Sequence, residues 1–159
     1  MSEPRRRWKA PLLIAAAIVV VDLLTKHWAV NALSDGDPIE LFWTLQFNLA
    51  FNSGMAFSRG SGFGPLIAVV ATVVIVWLLA TLRGGNTRLG AFGMGCVIGG
   101  AAGNLIDRLF RGEGLLDGAV VDFIDFQWWP VFNVADMAIV IGAFLIVLVG
   151  TKGWDGRPS

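Results

Sequence analysis

Charge is what this chain has least of. Only 15% of its 159 residues are Asp, Glu, Lys or Arg, against roughly a quarter in average soluble domains. That is too little to cover a surface facing water. Twelve basic and twelve acidic residues cancel to a formal net charge of zero. No global field draws the chain to a polyanion, and no nucleic acid is expected as a partner. Cysteine is almost absent: Cys96 stands alone inside an apolar stretch, which excludes an intramolecular disulfide and reads as a small buried hydrophobe. The one histidine is His27. One histidine and one cysteine argue against a zinc or other soft-ligand site and leave only carboxylates for a hard cation. No metal and no cofactor is expected. Internal repeats and low-complexity tracts are also missing.

What the chain does have is apolar length. Hydrophobic residues make up 55% of it, and the mean hydropathy is +0.68. They fall in long runs rather than in period-2 or amphipathic patterns, which points to one membrane-embedded domain over residues 1–159. Four candidate spans lie at 8–30, 65–82, 89–105 and 134–149. Each is near the roughly 20 residues that cross about 30 Å of hydrocarbon as a helix. The later ones are slightly short, which local thinning of the bilayer can accommodate. The expected fold class is an all-α membrane protein, a four-transmembrane-helix bundle.

Orientation follows from the cations. Arg5, Arg6, Arg7 and Lys9 precede the first span, Arg83 and Arg88 separate the second from the third, and Lys152 and Arg157 follow the fourth. Eight of the twelve basic residues therefore share one side, which the positive-inside rule assigns to the cytoplasm. Both termini are then cytoplasmic, and the segments 31–64 and 107–133 face outward. The basic start and the run from Pro11 to Val21 look like a secretory signal, but no small-residue cleavage pattern follows. The first helix is expected to stay. In the first outward segment, Ile39 to Phe47 is rich in aromatic and branched residues with loose alternation, the pattern of strands. A small sheet at the membrane surface is expected there, with Trp43 near the headgroups; Trp128, Trp129 and Phe132 form a second interfacial cluster.

Against this background the polar residues near the membrane stand out, because each costs about 2.5–3.5 kcal/mol to insert and is a functional hypothesis by default. Asp22 and Lys26 lie four apart on one face of the first helix, where they can pair; a structural ion pair is the plainer reading. Asn104, Asp107 and Arg108 cluster at i, i+3 and i+4 after the small-residue run Gly99–Gly103, which permits close helix packing. A capping and packing network explains them as well as chemistry does. Asp122, in an apolar stretch, and Asp136, near the start of the fourth span, lack such obvious partners. Asn133 can cap that helix with Asp136 at its third position, near the free N–H groups. Burial raises a carboxyl pKa while a helix N-terminus favours the ionised form. Two carboxylates so placed can share one proton, the arrangement that activates water. A spacing of fourteen residues does not by itself bring them together, and Asp125 remains a competing candidate.

Five blocks in order carry a resemblance: Asp22 with Thr25-Lys26, Asn52 to Phe57, Gly103 to Arg108, Val120 to Ile124, and Phe132 to Asp136. Together they resemble the signature blocks of the lipoprotein signal peptidases, the signal peptidase II family. The resemblance implies a membrane aspartic endopeptidase that removes the signal peptide from diacylglyceryl-modified prolipoproteins, cleaving immediately before the lipidated cysteine. It implies a four-span layout with a small extracytoplasmic β-structured cradle around Ile39–Phe57, in a bacterial plasma membrane, with the active site outside. Asp122 and Asp136 match the family's catalytic dyad, which favours Asp122 over Asp125. Asn52, Asn104, Arg108 and Asn133 match residues lining its substrate site, and Asp22 and Lys26 its supporting pair. The family uses no metal and forms no acyl-enzyme, and its probe inhibitor is the cyclic peptide globomycin. Expected partners are the diacylglyceryl-prolipoprotein substrates and membrane lipid, with the enzyme a monomer. Two departures accompany the match. The stretch from Asp107 to Asp122, with Arg111 to Gly118 inside it, is several residues longer than the family's linker, and its glycines suggest a flexible loop. Met137 stands where a smaller residue is expected. The alternative reading is a small four-span transporter in which Asp22 carries protons or binds a cation, although such sites sit at the midplane, usually between repeats.

Overall fold

A computed structural model describes residues 8–54, 63–82 and 87–154, with side chains placed up to residue 151. Arg5, Arg6, Arg7, Met55–Phe57, Arg83 and Arg157 of the readings above lie outside the described residues. In chain order the elements are α1 (Lys9–Ala32), β1 (Ile39–Phe42), β2 (Leu45–Asn52), α2 (Gly64–Thr81), α3 (Arg88–Phe110), β3 (Val120–Asp125) and α4 (Val134–Trp154). All four helices are long and apolar enough to cross a membrane.

Local chemistry sets several of the helix starts. Pro11 stands in the first turn of α1 and Pro65 in that of α2, where the missing N–H costs nothing because it would have no intrahelical partner. Thr87 caps α3, its Oγ1 accepting the Gly90 N–H at 3.0 Å. Helix α3 does not end with its apolar run near residue 105. It continues to Phe110, because the polar side chains in its last turns find buried partners and give the helix no reason to stop.

Helix α3 is also the centre of the bundle. Thirteen of its residues are buried, against three in α2. Its glycines let the neighbouring backbones come close. Any Cβ on Gly95 or Gly99 would meet the Pro11 or Ala15 carbonyl of α1 at 2.8 Å. On the opposite side, Gly93 faces the Gly142 carbonyl of α4 at 2.9 Å, and Gly100 faces the Ala135 carbonyl. This is membrane-helix packing through small residues, in which van der Waals contact replaces the hydrophobic effect. Helix α2 packs on α3 through Leu78 and leaves Leu66, Val69, Val70, Val73, Val76 and Trp77 exposed. An apolar helix surface of this kind is suited to lipid.

The three strands form an antiparallel sheet in the order β1-β2-β3. Ile39 pairs with Phe47, and the β2–β3 register runs from Gln46 opposite Asp125 to Asn52 opposite Val120. The strand-like segment from Ile39 to Phe47 is therefore a hairpin, turning at Trp43, whose φ is 52°. The third strand, carrying Asp122, comes from beyond α3 and is an addition to the expected sheet. Phe47 and Phe123 pack with Trp28 of α1 edge to face, at 5.1 and 6.1 Å between ring centroids. With Ala29 and Leu33 they make a second core that seats the sheet on the end of α1.

Candidate active site

At the junction of the sheet with α3 and α4, five polar side chains converge, four from separate elements and one from the residue just ahead of α4. Asp122 comes from β3, which is buried along nearly its whole length. Asp136 comes from the first turn of α4. Asn133, just ahead of that helix, caps it reciprocally. Its Oδ1 accepts the Asp136 N–H at 2.9 Å, and Asp136 Oδ2 accepts the Asn133 N–H at 3.2 Å. The same Asn133 donates from Nδ2 to Asp122 Oδ1 at 2.7 Å. One residue thus bonds both carboxyls, and the fourteen-residue spacing closes into a single site. Asn52, at the end of β2, donates to Asp122 Oδ2 at 3.0 Å, and Asn104 of α3 donates to Asp136 Oδ1 at 2.7 Å.

Burial and charge make Asp122 unusual. It is 2% exposed, and its pKa is raised to about 6, chiefly by burial. The hydrogen bond from Asn52 opposes the rise, and the charge of Asp136 adds to it. An isolated buried carboxylate is costly, so the group holds its proton to higher pH. Asp125, the competing candidate, behaves in the opposite way. Burial alone would raise its pKa, but donors from Gln46, the Gln127 backbone and Asn48 outweigh that and hold it low. None of those donors bonds to Asp122 or Asp136.

Beneath the pair lies an ion cluster. Lys26 Nζ sits 2.8 Å from Asp22 Oδ2, 2.9 Å from Asp107 Oδ2 and 2.9 Å from Asn104 Oδ1. Asp22 and Lys26 are fully buried. Asp22 Oδ1 accepts the Ala135 N–H of α4 at 3.0 Å, which ties α1 to the helix that carries Asp136. Asp107, which the sequence left among the packing residues, also accepts from the Val121 N–H at 3.2 Å and pairs with Arg111 Nε at 2.6 Å. It therefore anchors β3 one residue before Asp122. Only its pairing with Arg111, four residues on at the C-cap of α3, is local in sequence.

Arg108 departs from its neighbours. It is buried and reaches toward the Gly118 carbonyl at 3.4 Å, under the start of α2 at Gly64. Its charge acts on Asp122, Asp107 and Asp136. The long stretch between Asp107 and Asp122 folds back on α3, with the Gly118 N–H on the Arg108 carbonyl at 3.1 Å and Asp117 holding the Gly114 N–H. Met137 is exposed. Among the described residues no group of three or more His, Cys, Asp or Glu is placed to hold a metal ion.

The arrangement brings two carboxyls to one asparagine, and comparison with known proteins gives it a lineage. Residues 14–151 match the sequence model of the family described as Signal peptidase (SPase) II. The chain belongs to the signal peptidase II family. Curated members named lipoprotein signal peptidase include one from Mycolicibacterium smegmatis, 41% identical over 155 residues, covering 97% of this chain and 66% of that protein. Another from Mycobacterium avium is 42% identical over 153 residues, covering 96% of this chain and 84% of that protein. The chain thus spans about two-thirds of the first relative's length and more of the second's. Two solved structures described as bacterial membrane enzymes share the fold. One superposes with a TM-score of 0.78 at 26% identity, covering 94% of this chain and 92% of the other. The second gives 0.74 at 27% identity, with 87% and 90% covered. As a member of the signal peptidase II family, this chain is a four-helix membrane protein with a small sheet.

Proposed function

We propose that this chain is an aspartic endopeptidase of the bacterial plasma membrane, removing the signal peptide from diacylglyceryl-modified prolipoproteins by cutting before the lipidated cysteine. The observation that carries the reading is the bonding of both Asp122 and Asp136 by the single residue Asn133. In this reading the pair holds one proton. A water molecule between the carboxyls loses a proton to the ionised one while its oxygen attacks the scissile carbonyl carbon. The protonated carboxyl donates to the carbonyl oxygen, giving a neutral tetrahedral diol. Collapse returns the first proton to the leaving nitrogen and the second to its carboxyl, restoring the pair. Asn52, Asn104 and Asn133 orient the carboxyls, Arg108 lines the substrate side, and Asp22 with Lys26 supports them from below.

The substrate's acyl chains supply binding energy, at about 0.8 kcal/mol per buried CH₂, and enter sideways from the bilayer. The site is placed on the extracytoplasmic side, with both termini in the cytoplasm, by the basic-residue asymmetry. The enzyme works as a monomer. Against the transporter reading stands Asp22, fully buried and committed to Lys26 and the Ala135 N–H.

Purified enzyme in detergent, given a diacylglyceryl-modified prolipoprotein, should release the signal peptide and be blocked by globomycin. Asp122→Asn and Asp136→Asn should each lose at least about a thousandfold in rate, the usual scale for losing an essential acid or base. An inert parent that stays folded sinks the activity. Full cleavage by either variant sinks the dyad and leaves the family membership intact.

A further inference from the structure

The orientations of three asparagines divide the labour between the two carboxyls. An amide can be turned either way by 180°, so its direction is established only by a neighbour that cannot change role. Each of the three has such a neighbour. Lys26 can only donate, so the Asn104 oxygen must face it at 2.9 Å and the Asn104 N–H must face Asp136. The Asp136 backbone N–H fixes the Asn133 oxygen, and the Gly54 backbone N–H fixes the Asn52 oxygen, both at 2.9 Å. Both remaining amide groups therefore point N–H first at Asp122.

Each carboxyl receives two donors, but not equal ones. Asp122 receives two neutral side-chain amides, from Asn52 and Asn133, and sits in a strand. Asp136 receives a main-chain N–H in the first turn of α4, where the helix dipole favours negative charge. Its other donor is Asn104, whose oxygen is held by an ammonium, and such a chain polarises the far N–H. Charged groups around the pair are Asp22 and Lys26 from α1, Asp107 and Arg108 from α3, and Arg111 at its C-cap. Asp22 and Asp107 bind Lys26, and Arg111 binds Asp107. Arg108 acts on both carboxyls, on Asp122 more strongly, and Lys26 also acts on Asp122, so these charges oppose the order that the donors set.

Resting on the dyad reading above, we infer that Asp136 is the base that takes the proton from water and Asp122 the acid that enters the reaction protonated, with Lys26 and Asn104 as the positioning residues that fix this order. The raised pKa of Asp122, caused chiefly by burial, agrees with that division. Each Asp122 oxygen accepts a single side-chain N–H from the asparagines, so a proton there keeps a free direction toward a substrate carbonyl.

The test is the pH profile of kcat/KM on the diacylglyceryl-prolipoprotein for the parent, Asn104→Ala and Asn52→Ala. The acid limb reports the group that must be ionised and the alkaline limb the group that must be protonated. Removing a donor from a carboxylate moves the corresponding limb upward, by about one pH unit. Asn104→Ala should raise the acid limb and leave the alkaline one; Asn52→Ala should raise the alkaline limb and leave the acid one. The exchanged pattern overturns the assignment, as does an equal shift of both limbs or of neither. Should Asn104→Ala fail to fold, the limb moved by Asn52→Ala decides alone. Cleavage by Asp122→Asn or Asp136→Asn refutes the dyad itself, a different result from exchanged limbs.

Discussion

Asp122 holds a costly position, a carboxyl 2% exposed with no cation bonded to it among the described residues. Its pKa, pushed up from 3.8 to about 6 mainly by burial, means the folded state binds its proton more tightly than the unfolded one. Stability from this group is then present below pH 3.8 and falls as pH rises toward 6, levelling off beyond. A rise of about two units corresponds to about 3 kcal/mol. Asp122→Asn cannot ionise and escapes that loss, although its amide meets two N–H donors where the carboxyl accepted both. That mismatch costs the same at every pH and cancels from a difference. Thermal melts in detergent should therefore show the variant gaining on the parent between pH 4 and 6.5, with a constant offset above. A pH-independent offset throughout would mean the Asp122 carboxyl ionises as freely in the folded chain as in the unfolded one. Asp122 and Asp136 were legible as residues because carboxylates beside membrane spans are costly and both lie in recognisable blocks. Asp107 was not, since its role depends on Lys26 from α1 and the Val121 N–H from β3, partners far away in sequence.

Among the elements, the helices were legible and the third strand was not. Long apolar runs announce spans by length alone, but Val120–Asp125 is too short and too continuously apolar for its period to be read. Its pairing with β2 is long-range, and only the fold reveals that Asn52 and Asp122 sit within hydrogen-bonding reach. The end of α3 escaped for a related reason, because its polar last turns look like the exit from a membrane until their partners are known. Helix α3 carries the site by way of glycines that the sequence offered as a packing stripe. A Cβ on Gly103 would fall 2.5 Å from Asp22 Oδ2 and 3.5 Å from the Ala135 Cβ. Gly103→Ala should push the Asp22 carboxyl of α1 away from α3, at the point where it holds the Ala135 N–H of α4. Overpacking of this kind costs about 1–3 kcal/mol. A lowered melting temperature with reduced cleavage is expected, whereas Gly150→Ala, which meets nothing within 4 Å, should lower neither. Unchanged stability in Gly103→Ala would show that the Asp22 carboxyl can move off α3 without disturbing the site.

At the scale of the whole molecule, one feature decides whether the chemistry has access to a lipoprotein: the side of the membrane on which the sheet lies. The sheet, the carboxyl pair and the loop from Arg111 to Ala119 are at the same end of the bundle, joined through Asp107, Asn133 and Gly118. Lys9 and Arg88 stand at the other end, at the starts of α1 and α3, and in the proposal above that end faces the cytoplasm. Orientation can be read by thiol labelling, because the native Cys96 is buried in the bundle and is removed by Cys96→Ser. In that background Glu113→Cys places a thiol on an exposed loop at the sheet end, and Thr151→Cys one at an exposed position near the end of α4. A membrane-impermeant maleimide applied to intact cells should modify the first and spare the second until the membrane is opened. The reverse pattern would put the carboxyl pair in the cytoplasm, where exported precursors do not expose their cleavage site. The family fold would stand, and the proposed peptidase action on exported lipoproteins would not.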